Sequence, residues 1–222
     1  GLSPKRPNVR QCRALGEALA KMHLALEGFA MVRENSLGPK AWAQLWQGRA
    51  EAAEALQPGL AQTAETAFAR IREARAFVPG LPRGTIHADL FPDNAFFLGD
   101  TFSGAIDFYF ACTDALAYDL AVCLNAWAFD EGNAADASRL EYNFSKGAAL
   151  IAGYQSIRPL SDEERAALPA LCLGAAMRFF LTRLADWSST PAGALVRPKN
   201  PLEYAARLAF HLRMDRAEGY GA

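Results

Sequence analysis

The chain has 222 residues, 51% of them hydrophobic, and a formal net charge of −1, which is enough apolar material for a sizeable core in one or two compact units. Near-neutral charge gives no electrostatic reason to expect nucleic acid or a membrane surface as partner, and no uninterrupted apolar run is long enough to cross a bilayer. Cys12, Cys112, Cys123 and Cys172 are scattered through apolar or helical surroundings; they read as buried thiols of a reducing compartment, so a cytoplasmic protein is expected.

Asn8 is placed to cap a first helix carrying Val9, Cys12, Leu15, Leu19, Met22 and Leu26 on one broad face, with Gly28 ending it. A second helix around Trp42, Leu45, Trp46 and Ala53 runs to Pro58-Gly59. A third, through Leu60, Ala64, Ala67, Phe68, Ile71 and Ala74, stops before Pro79-Gly80-Leu81-Pro82, a break that delivers the chain into a short strand before His87. The next segment reads as a hairpin: apolar Ala95–Leu98, a turn at Gly99-Asp100, then apolar Ala105-Ile106. Asp114 to Phe129 is apolar almost all round and predicts a central buried helix, and another follows from about Asp136 to Tyr154. Ser161-Asp162-Glu163-Glu164 is a capping-box pattern opening a long helix to about Trp187, which Pro169 breaks or kinks. Ser188–Lys199 reads as a loop, and Asn200-Pro201 starts the last helix with proline at the favoured first position. The fold class expected is α+β, mainly α-helical: one helical domain around a small hairpin.

The hairpin carries the chemistry. His87-Ala88-Asp89-Leu90-Phe91-Pro92-Asp93-Asn94 on one side and Ile106-Asp107-Phe108 on the other place an acid, an amide and a second acid at the spacing used by phosphotransferases. In a kinase catalytic loop an Asp accepts the hydroxyl proton, an Asn five residues later binds Mg²⁺, and a downstream Asp bridges metal and nucleotide phosphates. Asp89 and Asn94 are five apart and Asp107 lies thirteen beyond Asn94; a hairpin of that length returns beside its start, so both ligands could face one ion. Taken singly, each residue also fits a turn, and His87 alone reads as a core histidine. Zinc is disfavoured, because the three histidines form no pair with each other or with cysteine at ligand spacing; carboxylate and amide oxygens suit Mg²⁺. No Gly-x-Gly-x-x-Gly or Gly-x-x-x-x-Gly-Lys-Ser/Thr phosphate loop occurs. Residues 1–222 are therefore read as a single catalytic lobe of a two-lobed enzyme, with the N-terminal nucleotide-clamping lobe outside the chain and the isolated chain catalytically silent.

These motifs resemble the aminoglycoside phosphotransferase/choline kinase superfamily, which is similar in fold to protein kinases. Within it, the block from His87 to Trp127 is similar to the homoserine kinases of this fold. The residues carrying the likeness are His87–Asn94, Phe96-Phe97-Leu98-Gly99, Ser103-Gly104, Ile106–Cys112, Tyr118-Asp119 and Cys123–Trp127, with Gly1–Pro4, Gly16-Glu17 and Met22-His23 before them. The resemblance implies the C-terminal lobe of a protein-kinase-like fold and transfer of the γ-phosphoryl of ATP to the side-chain hydroxyl of L-homoserine, on the route to threonine. It casts Asp89 as catalytic base, with no need of a raised pKa, and Asn94 and Asp107 as holding Mg²⁺ against ATP. His87 would buttress the loop and Asp119 would be a structural acid behind it. A zwitterionic acceptor needs an anion and hydrogen-bond donors; Asp114, Asn125 and Arg183 are the candidates, although Asp114 also fits a helix cap and Arg183 a helix-face ion pair. An aminoglycoside, choline or a related alcohol is the alternative acceptor; a polycation calls for more acid than Asp130-Glu131 and Asp162-Glu163-Glu164 supply. A non-catalytic binding module of kinase-like fold is the third reading. The expected partners are ATP and a small acceptor, with neither nucleic acid nor membrane, and the oligomeric state is open.

Overall fold

The computed structural model of the chain describes residues 1–76, 80–130, 140–191 and 198–221. Helix α1 (Val9–Ala25) begins at Asn8, whose side chain accepts the Gln11 N–H while the Gln11 side chain accepts the Asn8 N–H, a complete capping box. Beyond it the expected second helix is two: α2 (Pro39–Trp46) and α3 (Ala50–Leu56), parted where Gly48 turns the chain at φ 71°. The apolar pattern runs across that break because both short helices pack on the same long helix. Helix α4 (Leu60–Ala74) ends with Arg75 in the left-handed region.

Four short strands follow in a nested arrangement. Strand β1 (Arg83–Ile86) pairs antiparallel with β4 (Cys112–Ala115), and between them lies the hairpin of β2 (Ala95–Leu98) and β3 (Thr101–Ala105), turned at Gly99. Asp114 therefore sits in β4 and caps nothing. The central helix α5 begins two residues later (Leu116–Trp127), and all but two of its twelve residues are buried. Strands β5 (Phe129–Asp130) and β6 (Glu141–Tyr142) pair before α6 (Phe144–Gln155), capped by Asn143; the predicted helix start at Asp136 lies outside the described residues.

Helix α7 (Asp162–Ser189) opens on the Ser161/Glu164 capping box and runs unbroken through Pro169. Proline there removes one backbone bond, but α7 packs against α2, α4, α5 and α8 at once, and this burial holds it together. It is long and apolar enough to cross a membrane by length and composition, yet 89% of that apolar window is buried inside the protein. Of the loop expected at Ser188–Lys199, Ser188 and Ser189 instead belong to α7, and half, residues 192–197, lies outside the described residues. Helix α8 (Leu202–His211) starts one residue later than predicted: Pro201 is its cap, and the Asn200 side chain accepts the Leu202 N–H.

Helices α1 and α6 approach through two glycines. A methyl group at Gly16 would stand 2.1 Å from the Leu150 carbonyl oxygen, and one at Gly153 would stand 2.1 Å from that of Arg13. Both obstacles are backbone, so the helices would have to part. Gly16→Ala and Gly153→Ala are each expected to destabilise the protein by about 1–3 kcal/mol, read as a lowered urea midpoint; an unchanged midpoint would show that this contact carries no constraint.

Candidate active site

The nesting of the strands forces the site together. Strand β1 delivers the chain to His87 and β4 receives it after Ala111, while β2 starts after Asn94 and β3 ends before Ile106. Segments 87–94 and 106–111 are thus pinned at both ends. The Ile106 N–H donates to the Asn94 carbonyl at 3.0 Å, which sets Asp107 one residue from a direct contact with Asn94.

Helix α5 fixes the first segment from behind. The Asp119 carboxylate, fully buried, accepts the backbone N–H of His87 and of Ala88, each at 2.8 Å, and His23 Nε2 of α1 at 3.1 Å. Burial opposes its ionisation, but the His23 and backbone hydrogen bonds outweigh that and hold the carboxyl below the usual carboxylate range. Two turns along α5, Trp127 Nε1 donates to the Leu90 carbonyl at 2.8 Å. Ala88 is thereby held at φ 64°, a left-handed conformation that a non-glycine residue adopts at a cost.

From the other side comes Arg178 of α7, buried and donating to the Ala88 carbonyl, with its guanidinium 3.8 Å from Asp89 Oδ1 and packed over the Phe179 ring. Asp89 is raised above the ordinary carboxylate value, chiefly by burial; Arg178, His87 and Lys199 pull it down, and Asp107 adds to the rise. His87 accepts the Asp89 N–H at Nδ1 (3.3 Å), so Nε2 carries the proton and donates to the Ile106 carbonyl at 3.0 Å. With its ring 4.6 Å from that of Phe108, His87 ties the two segments to each other.

Asn94 donates from Nδ2 to the Asp89 carbonyl at 2.9 Å, which leaves its oxygen end to accept. Asp107 is exposed, at φ 62°. An amide oxygen and a carboxylate on adjoining segments fit a hard divalent cation that completes its shell with water and phosphate oxygens. Among the described residues there is no cluster of three or more His, Cys, Asp or Glu that would suit a softer metal.

Asp89, Asn94 and Asp107 line one cleft of about 460 Å³, together with Phe91, Phe110, Arg178, Phe179, Thr182, Arg183, Asp186 and Lys199. Of the residues expected to touch an acceptor, Arg183 lies in this cleft. Asp114 does not line it: its carboxylate pairs with Arg83 at 3.1 Å and accepts from Asn35 at 2.8 Å. Asn125 does not either; it is fully buried, donating to the Ala121 and Cys172 carbonyls and accepting from His211 Nε2. His211 in turn accepts the Tyr220 hydroxyl, and burial, with Arg207 beside it, lowers its pKa to about 3. Arg178 escaped sequence reasoning, although a lone arginine between Met177 and Phe179-Phe180 in an apolar helix was the available signal.

Residues 2–160 match the phosphotransferase enzyme family. Over all 222 residues the chain is 75% identical to a homoserine kinase of Hyphomonas neptunium, spanning 68% of that protein. It is 51% and 53% identical to homoserine kinases of Chelativorans sp. and Methylobacterium nodulans, spanning 66% of each. The chain thus spans about two thirds of the length of these curated relatives. Among solved structures it is similar to an ethanolamine kinase of Plasmodium vivax (TM-score 0.53, 16% identity, 92% of this chain and 59% of that one). It is also similar to an amicoumacin kinase (TM-score 0.55, 16% identity, 93% and 58%); at such identity the likeness speaks to fold alone.

Two variants test the loop clamp. Asp119→Asn turns an NH₂ toward backbone donors and is expected to cost about 3 kcal/mol in denaturant unfolding. Because the folded carboxyl titrates below its unfolded value, it contributes stability above about pH 4 that is lost as pH falls through the folded pKa. The variant should therefore lose less stability than the parent between about pH 6 and about pH 3. Ala88→Gly removes the left-handed strain and is expected to leave the melting temperature unchanged or higher, whereas Ala88→Val should lower it sharply.

Proposed function

Because the chain belongs to the phosphotransferase enzyme family and, within it, to the homoserine kinases, we propose that it is the catalytic and acceptor-binding lobe of an enzyme phosphorylating L-homoserine. The γ-phosphoryl of ATP passes to the side-chain hydroxyl, giving O-phospho-L-homoserine, on the route to threonine. Its mainly helical α+β architecture is that of the C-terminal lobe of a protein-kinase-like fold. The chain carries no glycine-rich phosphate loop and spans about two thirds of its relatives, so the clamp on the nucleotide phosphates is assigned to a segment outside it. The four free, buried thiols support a cytoplasmic setting.

In this reading the acceptor hydroxyl lies against Asp89. Its oxygen bonds to the γ-phosphorus as the bond to the β–γ bridging oxygen breaks, ADP leaves, and the hydroxyl proton passes to the Asp89 carboxylate. A carboxylate made more basic by burial suits a proton taken late in the transfer. Asn94 and Asp107 would hold Mg²⁺, which when bound would offset the charge of the phosphates. Arg178 does not meet the reacting atoms; it fixes the Ala88 carbonyl and keeps Asp89 aimed at the acceptor. The observation that carries the proposal is the convergence of Asp89, Asn94 and Asp107 at a cleft whose other charges are of both signs. That mixture suits an amino acid better than a polycationic aminoglycoside.

The protein at the length of its relatives, supplied with Mg-ATP, is expected to phosphorylate L-homoserine in preference to choline and a panel of aminoglycosides. Asp89→Asn should lower kcat by at least about 100-fold; preference for another alcohol would discard the acceptor and keep the base. Arg178→Met should lower kcat about tenfold or more with little change in the KM for ATP, and Arg178→Lys should recover part of the loss.

A further inference from the structure

The cleft beyond Asp89 carries charges that phosphoryl transfer does not use. Helix α7 presents Arg178, Thr182 and Asp186 to it, four residues apart, with Phe179 and Arg183 beside them. Each such step advances about 6 Å along a helix, so the row leads outward from the catalytic base over two turns. The charges along it are not equivalent. Arg178 is committed to Ala88 and Asp89. Arg183, also buried, is committed to Glu203 at 2.6 Å and the Asn200 carbonyl at 3.1 Å, and it packs over Tyr204.

Asp186 and Lys199 are different. Both line the cleft and both are exposed. Neither takes part in an ion pair among the described residues. Lys199 lies with Nζ 5.6 Å from the centre of the Phe91 ring, and its charge is felt at Asp89. Among the described residues the cleft thus offers a cation, Lys199, and an anion, Asp186, that no ion pair takes up. A short amino acid with a terminal hydroxyl carries one group of each sign for them: a hydroxyl at one end, and a carboxylate and an ammonium on one carbon at the other.

Resting on the homoserine kinase reading, we infer that Lys199 and Asp186 form the amino-acid-recognition end of this cleft, Lys199 taking the α-carboxylate of the acceptor and Asp186 its α-ammonium. Both contacts go to groups of the acceptor that do not react, and they are made equally in the ground and transition states. They set KM for the acceptor and leave kcat little changed.

The test pairs two variants with two truncated acceptors in the relative-length enzyme: 3-amino-1-propanol, which lacks the carboxylate, and 4-hydroxybutanoate, which lacks the ammonium. Where turnover of an analogue is slow, it is measured as a competitive inhibitor. Lys199→Met is expected to raise the KM for L-homoserine about 10- to 100-fold while leaving 3-amino-1-propanol unaffected. Asp186→Asn should raise it similarly while leaving 4-hydroxybutanoate unaffected, and Lys199→Arg should stay near the parent. Penalties spread evenly over all three compounds, or no penalty at all, would overturn the inference while the parent's turnover of homoserine still upheld the function. Parent enzyme that ignores homoserine and turns over another alcohol would overturn both.

Discussion

A single buried carboxylate organises this lobe. Asp119 lies in the first turn of the most buried helix, out of reach of water, where an unpaired charge would be prohibitively costly. It is tolerated because three donors from two other parts of the chain converge on it: His23 of α1 and the backbone of His87 and Ala88. Each donor is in turn constrained by the carboxylate. The segment from His87 bends through a left-handed alanine with its amides on this carboxylate, and the histidine of α1 reaches the same acid. Arg178 completes the arrangement from α7 by taking the Ala88 carbonyl, so Ala88 is held at both its N–H and its carbonyl.

Around this clamp the site reconciles two opposing demands. Asp89 must be enclosed enough to be basic and open enough to meet an acceptor. Burial supplies the first, and the neighbouring Arg178 opposes the rise that burial brings. Asn94 and Asp107 are treated in the opposite way. They stand at the rim, where a hydrated cation and phosphate oxygens can approach, and their positions come from backbone pairing in the nested strands.

What the sequence made legible was local. The Asn8/Gln11 and Ser161/Glu164 caps involve residues three apart and could be read directly, as could the apolar wrap of α5 and the acid–amide–acid spacing. Features settled by distant partners could not. Asp114 looks like a helix cap from its neighbours, yet Arg83 and Asn35 draw it into a strand pair. Asn125 stands out in an apolar helix, and its meaning depends on His211, 86 residues away. Gly48 divides a helix whose apolar pattern continues on either side. Arg178 was hidden by the same burial that makes it effective, and the charges at the outer end of the cleft share a wall only once α7 and the approach to α8 have met.

The wiring of Asp119 also bears on the order in which the chain becomes competent. Its hydrogen-bond partners lie 31, 32 and 96 residues away along the chain, and Arg178 reaches Ala88 across 90. A chain that has emerged only as far as Asp107 holds every residue of the acid–amide–acid motif but neither the Asp119 nor the Arg178 contacts that help to shape it. The geometry around Asp89 is therefore complete only where α5 and α7 are docked, so a half-folded lobe has the motif without its full set of restraints.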